Sequence, residues 1–279
     1  MLMNEKSARF LKLFSTYFLL IAIAVVTAFP FFWMVMTSFK NQREVFTQFL
    51  PSSFDLSSYQ QVINTTDLPV HLGNSIYVSA INIAVVLITA TLAGYVFARF
   101  KFPGSNWLFY AFLLAMMIPG QAILIPMFQY LKSLNLLNTH IGLALSMTGG
   151  AISFATFLLR AFFKSLPSEL GDAAKLDGCS EWGVFRFIYL PLARPGLATV
   201  LIFQFMGVWN EFMFSTTFIS TPALKTIQPA VYQVVGRYSV NYPALTAGLL
   251  LAILPVMLVF LVLQGQFIKG LTAGAFKGA

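Results

Sequence analysis

The charged residues of this sequence concentrate between residues 165 and 195, in the segment SLPSELGDAAKLDGCSEWGVFRFIYLPLARP. Only 9% of the chain is charged, and long apolar segments lie on both sides of this one. Within it, four carboxylates stand beside three basic side chains: Glu169, Asp172, Asp177 and Glu181, with Lys175, Arg186 and Arg194. A charged, folded island between apolar segments predicts a docking surface for a soluble partner.

Motifs for catalysis are missing from the sequence. No G-x-x-x-x-G-K-[ST] loop occurs, so we expect no ATP hydrolysis by this chain, and neither H-E-x-x-H nor G-x-S-x-G is present. His71 and His140 stand alone in sequence and are interpreted as surface residues rather than metal ligands. The single Cys179 excludes an internal disulfide. We therefore predict no enzyme activity, no metal site and no cofactor.

Glu211 is the only acidic residue within an apolar segment, and it follows Trp209 and Asn210. A carboxylate inside a membrane is costly and indicates a functional position. One interpretation is an interfacial carboxylate with Trp209 as an aromatic anchor. The other places all three residues on the wall of a translocation path, because sugar hydroxyls pair with amides and carboxylates while aromatic rings stack on sugar faces.

The composition predicts an all-α integral membrane protein. The 279 residues are 58% hydrophobic, with a mean hydropathy of +0.79. About 20 apolar residues cross a bilayer as a helix, and six segments meet that length: 14–36, 72–98, 106–130, 141–163, 196–219 and 244–268. The third contains Pro119-Gly120 and is expected to be kinked or broken. We interpret residues 1–279 as one membrane domain.

The basic residues predict the orientation. With the N-terminus inside, 12 of the 17 Lys and Arg residues fall on the cytoplasmic side and 5 outside. This asymmetry favours both termini and the charged island in the cytoplasm. The excess of 17 basic over 9 acidic residues is then explained by the cytoplasmic face and anionic lipid, and not by nucleic acid.

Residues 165–195, called the hairpin below, are expected to form two short helices joined by an elbow. Ser165 or Ser168 would cap the first helix around Pro167, and Gly178 would end it after Asp177. The second helix would start at a Ser180 cap, end at Pro191, and carry an apolar stripe of Trp182, Phe185 and Ile188/Tyr189. The alternative is an ordinary amphipathic loop on the membrane surface.

The pattern E-x-x-D-A-A-x-x-D-G, nine further residues and I-x-L-P resembles the EAA loop, the cytoplasmic coupling loop of ABC importer permeases. Asp172 stands where that family often has glutamate. In the family this elbow enters a groove on a nucleotide-binding subunit. The resemblance implies that six residues make this contact here: Glu169, Asp172, Ala173, Ala174, Asp177 and Gly178.

Further segments resemble carbohydrate-importer permeases: Asn74-Ser75, Tyr95, Ala98-Arg99-Phe100, 102–104, 209–212 and 270–278. The tail, 269–279, resembles that of the second permease subunit of maltose-type importers, which reaches the ATPase dimer. It implies cytoplasmic contacts at Gly274, Ala275 and Lys277. The implied partners are a second homologous permease, two ATP-binding subunits, an external substrate-binding protein and membrane lipid, in a prokaryotic plasma (inner) membrane.

The expected function is that of a permease subunit of an ATP-driven ABC importer, forming half of the path for a sugar or sugar-like solute. Two alternatives are a membrane-embedded lipid-modifying enzyme and a proton-coupled secondary transporter. The first requires a cluster of polar catalytic residues at one membrane depth, and only Asn210 and Glu211 are found. The second fits poorly with one buried acid and no evident inverted repeat.

Overall fold

The computed structural model describes residues 5–233 and 240–275, with side chains between residues 9 and 266 outside the gap. Helices make up its regular elements, which confirms the all-α prediction. They are α1 (Glu5–Ser38), α2 (Ser57–Thr65), α3 (Leu68–Arg99), α4 (Ser105–Met116), α5 (Leu124–Ser133), α6 (His140–Ser146), α7 (Thr148–Ser165), α8 (Glu169–Leu176), α9 (Glu181–Gly183), α10 (Leu190–Leu192), α11 (Arg194–Trp209), α12 (Met213–Phe218), α13 (Ile227–Tyr232) and α14 (Tyr242–Ala275).

Three helices are long and apolar enough to cross a membrane alone, at Arg9–Ser38, Leu68–Arg99 and Tyr242–Gln266. They coincide with the first, second and sixth predicted spans. Three bent helix pairs also qualify when each pair is counted as one span, which gives up to six. The pairs are α4 with the segment 120–133, α6 with α7, and the segment 181–192 with α11.

The bends fall partly where the sequence predicts them. The third span breaks before Gly120 and turns by 90°, as Pro119-Gly120 indicated. The fourth bends by 46° at Met147, which was not predicted. The prediction of one continuous fifth span at 196–219 was wrong. Helix α11 ends at Trp209, and α12 begins at Met213, because the polar pair Asn210 and Glu211 interrupts the apolar run.

The described chain divides into two compact units, one of residues 1–66 and 231–251 and the other of residues 67–230 and 252–279. In the first unit the segment after α1 folds back on the helix end. Lys40 is buried there, donates to the carbonyl of Gln48 at 2.7 Å, and lies 4.3 Å from the centre of the Trp33 ring. A hydrogen bond and a cation–π contact thus stabilise a buried ammonium group.

The second unit is built on α3 and α7, which pack closely along their length. Gly94 of α3 permits this approach, because a Cβ there would lie 3.0 Å from Leu159 Cβ and 3.1 Å from the Arg160 nitrogen. The same core continues into the hairpin through Phe185 and Tyr189, which are both buried. The hairpin is therefore packed onto the spans and is not a loose amphipathic loop.

At the opposite end of α3, three side chains hold the segment 223–227. The His71 Nδ1–H donates to the Lys225 carbonyl at 2.7 Å, and Asn74 Nδ2 donates to the carbonyls of Ala223 and Lys225. The Ser75 hydroxyl accepts from the Ile227 nitrogen at 2.8 Å.

The interpretation of His71 as a surface residue was wrong, because its side chain is buried at 4% exposure. His140 is half-buried and donates through Nε2 to the Leu224 carbonyl at 2.9 Å. Both histidines thus fix backbone at this end of the unit.

Candidate coupling hairpin and polar cavity

The hairpin has the predicted helix–elbow–helix form. Its first helix is α8, and Gly178 then takes a φ of +89°, the left-handed conformation that glycine adopts without strain. The Ser180 hydroxyl accepts from the Gly183 nitrogen at 3.2 Å and caps the second helix, as predicted. Ser168 precedes α8 but makes no side-chain cap bond, and Ser165 is the last residue of α7.

The second helix of the hairpin is longer than predicted. It runs as α9, a π-helical segment at Val184–Tyr189 and then α10, so Pro191 does not end it. Pro191 lies within α10, the last part of this helix. Within the predicted stripe Phe185 and Tyr189 are buried, whereas Trp182 is 59% exposed.

Five of the six predicted contact residues are exposed: Glu169, Asp172, Ala173, Asp177 and Gly178. Ala174 departs from the prediction, because it is buried in the hydrophobic core that joins the hairpin to α3 and α7. Leu176, which the sequence analysis did not single out, is 90% exposed beside the elbow. An apolar side chain at the tip of an acidic surface is typical of a residue that inserts into a partner's groove.

One ion pair joins the two sides of the elbow. Lys175 Nζ lies 2.5 Å from Glu181 Oε1, and this bond raises the pKa of Lys175 above its usual value. Both side chains are about half exposed, so solvent and salt weaken the pair. The ion pair adds an orienting contact across the elbow, while the buried aromatic rings supply the packing.

A cavity of about 430 Å³ lies in the second unit where the broken helices meet. Its wall includes residues from three interruptions: Ile118 and Gly120 in the third span, Met147 in the fourth, and Glu211 between α11 and α12. Around Gly149, Gly150 and Gly207 no atom lies within 4 Å of where a Cβ would stand. Bare backbone thus forms part of the wall and leaves room for a solute.

Two polar side chains reach this cavity from one face of the chain around α11. Glu211 Oε1 accepts from the Phe214 nitrogen at 2.7 Å and so caps α12. Gln204, seven residues earlier, is only 8% exposed, lines the cavity and makes no side-chain hydrogen bond to any described residue. A carboxamide that lines a cavity and has no protein partner can donate to and accept from a polar solute there.

The sequence analysis missed Gln204, although its spacing from Glu211 puts both near one helical face. Asn210 is exposed, and its side chain donates to the Met206 carbonyl at 2.9 Å instead of lining the cavity. Trp209 is 1% exposed and donates through Nε1 to the Ala252 carbonyl at 2.9 Å. The placement of Trp209 on the path was therefore wrong, and so was its interpretation as an interfacial anchor.

The predicted tail contacts have little structural description. Gly274 and Ala275 belong to the last turn of α14, their surroundings lie outside the described side chains, and Lys277 lies outside the described residues.

Comparison with known proteins identifies the family to which this chain belongs. Residues 90–272, which contain the hairpin and the cavity, match the model of the family described as "Binding-protein-dependent transport system inner membrane component". The diacetylchitobiose uptake system permease protein NgcG of Streptomyces coelicolor is 33% identical over 264 residues, covering 93% of this chain and 87% of that protein. The lactose transport system permease protein LacG of Rhizobium radiobacter is 34% identical, covering 91% and 93%.

Among solved structures, a chain of a bacterial ABC transporter involved in the import of alginate has a TM-score of 0.81 at 20% identity. The match covers 96% of this chain and all of that one, and it supports the fold. In this family the permease is a transport component, and ATP hydrolysis belongs to partner ATPase subunits. The chain belongs to the binding-protein-dependent transport system inner membrane components, the permease subunits of ABC importers.

Proposed function

We propose that this permease subunit imports a sugar or sugar-like solute through a path that includes the cavity at Glu211. The observation that carries the proposal is the meeting of three helix interruptions at one cavity. Inside a membrane, broken helices are tolerated where their backbone lines a water-filled space or is buried in protein. Gln204 and Glu211 then supply an amide and a carboxylate, which suit sugar hydroxyls.

The relatives support the choice of solute class, because the two permeases above are named for diacetylchitobiose and lactose. Residues 1–279 would act as one transmembrane domain with both termini and the hairpin in the cytoplasm. A second homologous permease would close the other half of the path, surrounded by membrane lipid. An external binding protein would deliver the solute.

Two ATP-binding subunits would dock on the cytoplasmic side. The exposed hairpin residues Glu169, Asp172, Ala173, Asp177 and Gly178 would carry the main contact, with Leu176 inserted as an apolar knob. Gly274, Ala275 and Lys277 of the tail would add a second contact.

The path is tested by uptake of radiolabelled lactose and diacetylchitobiose into cells that express the complete importer. Glu211→Gln keeps an acceptor for the Phe214 nitrogen and should retain part of the uptake of a neutral sugar. Glu211→Leu removes the cap of α12 and a polar group of the wall. It should cost about 1–3 kcal/mol in stability or binding and lower uptake further.

Gln204→Leu should lower uptake without lowering the amount of assembled importer, since the carboxamide has no partner in the described protein. Thr199→Val is the matched control. Thr199 is a buried polar residue of the same helix, but it bonds to the Pro195 carbonyl and lies off the cavity wall. Full uptake in both Gln204→Leu and Glu211→Leu would exclude this cavity from the path.

A further inference from the structure

Arg99, the last residue of α3, contacts the hairpin and the end of α7 together. Its Nη2 donates to the carbonyls of Phe163 and Leu166, both at 2.8 Å, at the point where α7 ends. A cation at a helix C-terminus also interacts favourably with the negative end of the helix dipole. The guanidinium lies 4.2 Å from the centre of the Tyr189 ring, which belongs to the second hairpin helix.

Tyr189 also contacts the first hairpin helix and the residues directly before it. Its hydroxyl hydrogen is shared between the carbonyls of Pro167 at 3.2 Å and Ser168 at 3.4 Å, directly before α8. Gly171 of α8 lies so close that a Cβ there would come within 2.7 Å of the Tyr189 hydroxyl. Tyr189 is 3% exposed, so one buried side chain holds both hairpin helices.

The hairpin shares a hydrophobic core with α3, and aromatic and cation–π contacts join it to the last residues of that helix. A cavity of about 530 Å³ lies beside these contacts, and Arg99 and Tyr189 line it together with Lys101 and Lys175. Direct contact is made by Arg99 on Tyr189 and by the Tyr95 ring, which lies 4.8 Å from Phe185 and 5.6 Å from Tyr189. Arg99 supplies the polar contacts between the end of α3 and the hairpin. Its planar guanidinium stacks on the Tyr189 ring while it donates to backbone carbonyls, a combination that lysine does not provide.

We propose that Arg99 is a positioning residue that makes the hairpin and α3 move as one body during transport. The proposal rests on the proposed contact between the hairpin and an ATP-binding subunit. Helix α3 has 32 residues and is about 48 Å long. Its other end holds the segment 223–227 through His71, Asn74 and Ser75. A displacement of the hairpin would therefore reach the opposite end of the unit through α3.

The test measures the distance between the hairpin and the far end of α3. Cys179, the single cysteine, is exposed beside the elbow and takes a spin label directly. Gly73→Cys provides a second label site, because a Cβ at Gly73 meets no atom within 4 Å. Distances are recorded in the complete importer, with partner cysteines replaced, without nucleotide and after trapping with ATP and vanadate.

With Arg99 in place, we expect one narrow distance distribution that is the same in both states. Arg99→Gln should broaden the distribution or shift it when nucleotide is trapped, and should lower the amount of solute transported per ATP hydrolysed. An Arg99→Gln importer with the original narrow distribution in both states would overturn the proposal.

Arg160→Gln is the matched control. Arg160 also donates to a backbone carbonyl, that of Phe97 at 3.2 Å, and lies 3.7 Å from the centre of the Phe109 ring, but it does not contact the hairpin. Its loss removes a similar set of interactions among the spans and should leave the distance unchanged. If Arg160→Gln changes the distance distribution as much as Arg99→Gln does, the effect is a general loss of helix packing. The proposed role of Arg99 would then be refuted.

If the importer with Arg99→Gln does not assemble, the same distances are measured in Arg99→Lys and Tyr189→Phe. The first keeps the charge without the planar group, and the second keeps the ring without the hydrogen bond shared between Pro167 and Ser168. Unchanged distances in both would overturn the proposal. The mobility of the Cys179 label distinguishes failure of hairpin docking on the ATP-binding subunit from failure of the Arg99 contact to fix the hairpin to α3. No change on adding the ATP-binding subunits would refute hairpin docking, whereas reduced mobility with unchanged distances in every variant would refute the role of Arg99 alone.

Discussion

The elbow of the hairpin offers a test in which backbone conformation is the only variable. Gly178 has a φ of +89°, and a Cβ built there meets no atom within 4 Å. The Cβ of a replacement side chain therefore meets no other atom, and the expected cost comes from the left-handed backbone. For an ordinary L-residue that cost is about 1–2 kcal/mol.

This energy sets the size of the expected effect. One to two kcal/mol corresponds to a factor of about 5–30 in an equilibrium. If the ATP-binding subunit recognises the elbow in its present shape, Gly178→Val should weaken association by a factor of that size. Gly178→Asn should have a smaller effect, because asparagine visits the left-handed region more readily. The assay is co-purification of the ATP-binding subunit, together with ATPase activity stimulated by the binding protein.

Gly104 provides the control. It has a φ of +81°, lies directly before α4 and is likewise open, with no atom within 4 Å of a built Cβ. Gly104→Val should thus carry a similar backbone strain and lower thermal stability by a similar amount. Only Gly178→Val should lose the ATP-binding subunit. Normal stimulated ATPase activity in Gly178→Val, or equal losses in both variants, would refute the role of the elbow.

Two further predictions concern the tail and the helix core. Deleting residues 270–279 should leave the protein inserted and reduce ATPase coupling, and a cysteine at Ala275 should cross-link to the ATP-binding subunit; labelling of that cysteine from outside the cell would overturn the topology. Gly94→Val should force α3 and α7 apart, because Leu159 and Arg160 already stand 3.0–3.1 Å from the position of a Cβ. It should cost about 1–3 kcal/mol, measured by thermal unfolding in detergent, and an unchanged melting temperature would contradict the packing.

Sequence patterns predicted what depends on local chemistry. Apolar length located the three long helices, Pro119-Gly120 located one break, and Gly178 located the elbow. Each of these follows from a property of the residues themselves, such as hydropathy, a missing N–H or freedom of φ. The Ser180 cap was predicted for the same reason.

Other features depend on neighbours far away in sequence and could not be read locally. Trp209 looks like an interfacial anchor, yet its indole finds the carbonyl of Ala252, 43 residues later. Ala174 fits a contact motif but faces the core. Gln204 sits in an apolar run like any isolated polar residue, and only the cavity beside it distinguishes it from a satisfied one.

Helix α3 and its neighbours divide rigidity and flexibility between them. The described α3 runs without interruption from Leu68 to Arg99, whereas the third and fourth spans, and α11 with α12, are interrupted beside the cavity. An unbroken helix keeps its backbone bonds and moves as a whole, while a break frees backbone groups and lets the chain bend there. A hairpin fixed to α3 would therefore transmit a displacement along a stiff element, and the wall of the cavity would change shape at its three interruptions.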